Sequence, residues 1–189
     1  MVYKRLFHSA LIATGILACA PALSMEGNLI EQIQAVDYEE SRDLAAIEAI
    51  FKSDWNTLEA SRPFDPTLAQ QCLEPWPHGG TTLKLRKVLR LDNQTIGFVT
   101  YYFQDDPETP GQKMGGFEVG GIASEYRKKG LATHFLAKAI EDLKNRGAKR
   151  VNLAVKKDNL VAQTLYNRLG FEITGEQFKG IAFSLRKKI

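Results

Sequence analysis

The apolar residues of this chain change their spacing partway along it, and that change limits the folds open to it. Between 83 and 102 they recur at every second position. Leu83, Leu85, Leu89 and Leu91 alternate with Lys84, Arg86, Val88 and Arg90, and after Asp92 and Asn93 a second run follows through Ile96, Phe98, Thr100 and Tyr102. A period of two puts one side of each run on a core, and Asp-Asn supplies the turn, so the segment reads as a β-hairpin. Past a polar loop at 104–113 the order becomes strand, helix, strand. Gly116 to Ile122 reads as a strand, Gly130 to Arg146 as a helix stopped by Gly147, and Val151 to Val155 as a buried strand. Asp158 or Asn159 caps a further helix to Leu169, Gly170 ends it, and Phe171 to Gly175 and Ile181 to Arg186 read as the last strands. Upstream, Leu44, Ile47, Ile50 and Phe51 follow helical spacing within 40–58, with Ser41 as candidate cap. Asn28 to Val36 reads as a first strand and 67–73 as a short helical segment, in a region that is otherwise irregular up to Gly80. With 189 residues and 44% hydrophobic side chains, one domain with a sizeable core is expected.

A net charge of +3 gives too weak an overall field to argue for a nucleic-acid partner, so any cationic site has to be local. Cys19 and Cys72 form no CxxC pair and no cluster with histidine at metal-ligand spacing, which predicts neither a structural disulfide nor a metal site. Residues 1–24 have another character. Lys4 and Arg5 precede a largely apolar run from Leu6 to Ala20, and Ala22 and Ser24 occupy the −3 and −1 positions of a cut before Met25. That is the pattern of a secretory signal peptide, too short for a membrane span. Cleavage implies an exported protein, periplasmic or secreted, without stable membrane contact once the leader is gone. The alternatives are an uncleaved anchor, a lipid-bearing Cys19 in the loosely lipobox-like Ile16-Leu17-Ala18-Cys19, and a cytoplasmic protein that starts at Met25.

The stretch from Ile122 to Ala132 carries most of the chemistry. A strand passes through Arg127, Lys128, Lys129 and Gly130 straight into a helix start. Free N–H groups at such a start point outward, the helix dipole adds positive potential, and glycine lets a phosphate approach the main chain. A pyrophosphate suits this cradle. The spacing fits neither GxxxxGK with Ser or Thr nor GxGxxG, so the common P-loop and dinucleotide fingerprints are disfavoured. The other reading of the three cations is a solvated helix entry.

Arg127, Gly130 and Ala132 satisfy the pattern of Arg or Gln, two residues, Gly, one residue, then Gly or Ala, and Asn159, Tyr166 and Leu169-Gly170-Phe171 follow. Together these marks resemble the GNAT superfamily of N-acetyltransferases, over 28–189 and most strongly from Ile122 to Gly175. The resemblance implies an α/β (α+β) fold with a mixed, mostly antiparallel sheet of six to seven strands flanked by about four helices. It implies acetyl-CoA as acetyl donor, a primary amine on a small molecule or protein as acceptor, and no metal; a homodimer is compatible with it. Gly120, Gly121 and Ile122 would then hold the pantetheine arm, and Arg127, Lys128, Lys129, Gly130, Leu131 and Ala132 the phosphates. Tyr166 would be the acid for the departing thiolate, or else an aromatic packed on the sheet. Asn159 would touch the cofactor arm, or else cap its helix.

The general base is the departure. Related ribosomal-protein alanine acetyltransferases carry a glutamate five residues before the asparagine, where this chain has Ala154. Glu118, assigned the same side-chain parity as Ile122, is the candidate, against a carboxylate satisfied on the sheet surface. An amine of pKa ~7.8 is neutral about one time in seven at pH 7, against about one in 2500 for one of ~10.4, so a poor base would suit an α-amine. Trp55, Phe64, Trp76 and His78 are candidates to line the acceptor side, or else core. Asp105, Asp106 and Glu108 either attract a cationic acceptor or form a solvated loop. Two other functions stay open: an acyl-CoA-binding module without catalysis, acting as a sensor or interaction domain, and a surface protein using the cradle for another anion.

Overall fold

The computed structural model describes residues 29–58, 65–74 and 82–189. The leader, Cys19, Phe64, Trp76 and His78 lie outside these residues, as does the side chain of Trp55. The chain runs β1 (Gln34–Asp37), α1 (Glu40–Leu58), α2 (Pro66–Leu73), β2 (Leu83–Leu91), β3 (Gln94–Asp105), β4 (Lys113–Ile122), α3 (Leu131–Asn145), β5 (Ala148–Lys156), α4 (Leu160–Arg168), β6 (Glu172–Gln177) and β7 (Ala182–Lys188). The strands form one sheet in the order β1-β2-β3-β4-β5-β7-β6. Every neighbouring pair is antiparallel except β4 and β5, whose crossover is the helix α3. This is the mixed, mostly antiparallel sheet that the resemblance implies.

The hairpin β2-β3 turns at Asp92 and Asn93, both with positive φ, as a tight two-residue turn requires. One sequence expectation fails at the start. Residues 29–32 form a helical turn, and only Gln34–Asp37 pair with β2. Leu29, Ile30 and Ile33 all join the cluster of Leu91, Ile122, Leu131 and Phe135, whereas a strand would send the adjacent Leu29 and Ile30 to opposite faces.

The helices divide between the two faces. On one face α3 and α4 cover Val99, Tyr101, Phe117, Val151, Leu153 and Leu185. On the other, α1 and α2 cover Val88, Phe98 and Val119. The start of α1 is fixed by Asp43, fully buried, which accepts from Arg90 Nη2 at 2.8 Å and Thr95 Oγ1 at 2.6 Å. The short α2 starts at Pro66 behind Asp65, whose side chain accepts from Thr67 N–H at 2.9 Å. Because α1 and α2 cover only the β2-β3-β4 half, the same face of β5 and β7 is left to polar side chains.

Candidate active site

Strands β4 and β5 part company in mid-sheet. They pair at Lys113 with Ala148, Gly115 with Val151 and Gly116 with Asn152, yet β4 runs on to Ile122 and β5 to Lys156. Residues 117–122 therefore turn a free main-chain edge towards the gap, an edge that an extended ligand arm can pair with. Gly120, Gly121 and Ile122 lie on that edge. A Cβ at Gly120 would come 2.9 Å from Phe98 O, and one at Gly121 2.6 Å from Ile50 Cγ2, so these glycines let β4 sit tightly between β3 and α1.

A bulge in β4 sets what faces the gap. Thr100 pairs with Val119 and Tyr101 with Phe117, so Glu118 is the extra residue of the bulge. Phe117 consequently packs under α3 and α4 while Val119 packs under α1, two residues apart yet on opposite faces. For this reason Glu118 and Ile122 do not share a face, contrary to the parity expected from strict alternation. Ile122 lies with Leu131 and Phe135 beneath α3, whereas Glu118 lies on the α1 and α2 face, ion-paired with Lys84 Nζ at 2.9 Å. The pair is well buried, with side chains 4% and 13% exposed for lysine and glutamate. Burial, and then the Glu118 charge, raises the Tyr102 hydroxyl above its ordinary range and pushes the Cys72 thiol up to about 12. Tyr102, Phe117, Glu118, Asn152, Leu153, Ala154 and Gln177 line a cavity of about 220 Å³ where the strands diverge.

At the end of β4 a 3-10 turn, Ser124–Tyr126, leads to Lys128 and Gly130, at φ 62° and 74°, and then to α3. No side chain caps α3, and its first backbone bond runs from His134 N–H to Gly130 O. The N–H groups of Leu131, Ala132 and Thr133 thus have no acceptor within the helix and stand beside the gap. The cradle is a main-chain one. Arg127 is spoken for: its Nε donates to Ile122 O at 2.7 Å, and its Nη2 donates to Ser53 Oγ at 3.1 Å and meets Asp54 Oδ1 at 2.7 Å. Lys129 lies over the Tyr126 ring at 5.2 Å, and Lys128 is exposed. The guanidinium that the sequence offers to a phosphate instead ties the cradle to α1.

Asn159 caps α4, its Oδ1 accepting from Ala162 N–H at 3.0 Å while the residue is buried. Tyr166 sits on α4, 1% exposed, with its ring edge-on to Phe171 at 5.8 Å between centroids. Burial raises its hydroxyl above the ordinary tyrosine range, with no charged neighbour contributing. Tyr166 and Glu118 lie on opposite faces of the sheet. The acidic loop carries no free charge to attract a cation. Asp106 and Glu108 hold Arg150, Glu108 also holds Arg186, and Asp105 holds Lys113. Sequence reasoning passed over Lys84, Asp54 and Asn152. Only Asn152 had a signal, as a lone polar residue in the apolar run Val151 to Val155.

A family model described as the acetyltransferase (GNAT) family matches residues 27–171. Mycothiol acetyltransferase of Brachybacterium faecium is 30% identical over 162 residues, covering 84% of this chain and 45% of that protein. The chain spans less than half the length of the curated relatives it matches. Among solved structures, the NatC complex bound to Gag peptide and CoA superposes with a TM-score of 0.62 at 20% identity, over 84% of this chain and 99% of that one. Arabidopsis thaliana NAA60 in complex with acetyl-CoA gives 0.62 at 18% identity, over 83% and 98%.

Proposed function

Since the chain belongs to the GNAT acetyltransferase family, we propose that it moves an acetyl group from acetyl-CoA directly to a primary amine of a small molecule or protein. The observation that carries this reading is the parting of β4 and β5 beside an uncapped helix start. An arm fits the first and a diphosphate the second. The NatC complex bound to CoA and NAA60 in complex with acetyl-CoA share this fold.

Acetyl-CoA supplies the thioester: the amine nitrogen bonds the acetyl carbon, the carbon–sulfur bond breaks, the amine gives up a proton and the sulfur departs as a thiolate that takes a proton from solvent. The N–H groups of Leu131, Ala132 and Thr133 hold the diphosphate, with Gly130 giving close approach. The free edge through Gly120, Gly121 and Ile122 holds the arm by main-chain hydrogen bonds. Glu118 receives the amine proton from one face of the sheet. From the other, Tyr166 donates a hydrogen bond to the sulfur. Even an ordinary phenol at ~10 against a thiol at ~8.5 makes full transfer uphill by about 2 kcal/mol, and burial of Tyr166 widens that gap. Its part is thus to stabilise the thiolate by hydrogen bonding.

The test is thermal-shift titration with acetyl-CoA, CoA and ATP, followed by thiol release over a panel of amines. Stabilisation by the CoA forms and not by ATP is expected, with thiol release for at least one amine. Tyr166→Phe and Glu118→Gln should each lower kcat by about 10²- to 10⁴-fold and leave the CoA Kd within about twofold. No stabilisation by CoA overturns the reading, and CoA binding without thiol release for any amine makes the domain a sensor.

A further inference from the structure

Buried side-chain atoms without a hydrogen-bond partner among the described residues include Nε of Arg90, Arg150 and Arg186 and Oδ1 of Asn152. The three arginines carry a compensating charge. Arg90 holds Asp43, Arg150 holds Asp106 and Glu108, and Arg186 holds Glu108 through their terminal nitrogens. Asn152 has no such compensation. A neutral amide oxygen buried without a donor is unfavourable in the folded chain, and a partner that arrives from outside removes the penalty.

Its position says what that partner is. Asn152 is the β5 residue of the last pair before the strands part, opposite Gly116. Val151, Leu153 and Val155 pack into the core under α3 and α4, so Asn152 and Ala154 take the face that carries Glu118. Of the β5 residues lining the 220 Å³ cavity, Leu153 and Ala154 have apolar side chains, which leaves Asn152 as that strand's polar side chain there. Glu118 lines the same cavity from β4.

We propose that Asn152 is an acceptor-binding residue, its Oδ1 taking a hydrogen bond from an N–H of the incoming amine. The inference rests on the acetyltransferase reading above and specifies how that site selects its acceptor. A neutral primary amine that aims its lone pair at the acetyl carbon has two N–H bonds left. One faces Glu118, which takes that proton once the new bond forms; the other faces Asn152 and is kept in the product amide. A secondary amine has a single N–H for these two partners, so Asn152 selects primary amines.

The experiment compares the best amine of the panel with its N-methyl analogue on the wild type, Asn152→Leu, Asn152→Ala and Asn152→Asp. For both apolar variants the amine KM should rise about tenfold or more, the CoA Kd stay within about twofold, and the preference for the primary amine shrink by about tenfold. Because the lost oxygen had no partner in the free protein, Tm should hold or rise. Asn152→Asp retains an acceptor oxygen and should recover the preference. An unchanged KM and preference in both apolar variants overturns the inference while the acetyltransferase reading stands, and so does a lower Tm with the preference intact. A wild type that binds CoA and acetylates no amine overturns both.

Discussion

Replacing Asp54 by alanine should weaken CoA binding although the carboxylate is committed to a protein partner. Asp54 Oδ1 meets Arg127 Nη2 at 2.7 Å, with the two side chains 8% and 13% exposed. Burial raises the Asp54 carboxyl above its ordinary value even against the Arg127 charge, a sign of how well this pair is shut off from water. Breaking a buried pair costs about 3–5 kcal/mol; Arg127 keeps Ile122 O and Ser53 Oγ and some solvent, so about 2 kcal/mol is expected for Asp54→Ala. A double-mutant cycle with Arg127→Met should return a coupling of about 1–2 kcal/mol. Affinity supplies the sharper contrast. If Arg127 gripped a phosphate, removing Asp54 would free the guanidinium and leave CoA binding equal or tighter. If Arg127 is a clamp that holds the strand end at Ile122, Asp54→Ala and Arg127→Met both loosen the cradle. Each then weakens CoA by about tenfold, and the double variant by little more than either. Calorimetric titration of CoA into the four proteins reads both quantities. Binding to Asp54→Ala as tight as wild type would refute the clamp.

Gly130 has φ +74°, and a Cβ there meets no atom within 4 Å, so Gly130→Ala imposes backbone strain without a clash. A loss of about 1 kcal/mol and a fall in Tm of roughly 2–4 °C are expected by calorimetry; an unchanged Tm would mean that the cradle tolerates another conformation. Burial, with the Glu118 charge second, pushes the Cys72 thiol from 9.0 to about 12. The unfolded thiol ionises first as pH rises, so stability is lost above about pH 9, by up to about 1.4 kcal/mol per pH unit. Denaturant unfolding between pH 9 and 11 should show a shallower decline for Cys72→Ala, and an identical slope would show that the thiol is not the titrating group.

The element order and the cradle were legible because both depend on local signals. Periods of two and 3.6, an Asp-Asn turn and a glycine before a helix act within a few residues, and the strands from β2 to β7 fall close to where they were expected. The first strand was misplaced because Leu29 and Ile33 suit either period until the cluster around Leu131 selects the helical one. Asn159 offered two roles, and the structure shows its cap.

What the residues alone determined was the chain's architecture and the place of its uncapped helix start at Gly130, since both are written in local patterns. What the tertiary structure decided was the pairing of side chains across distance. Arg127 is bound to an aspartate 73 positions away, Glu118 is turned by a one-residue bulge onto the face of Lys84, and Asn152 is left with an unanswered oxygen where two strands separate. A bulge inverts every later side chain of its strand, and an ion pair depends on which helix covers which face; both follow from packing of the whole domain and neither is written in a local pattern.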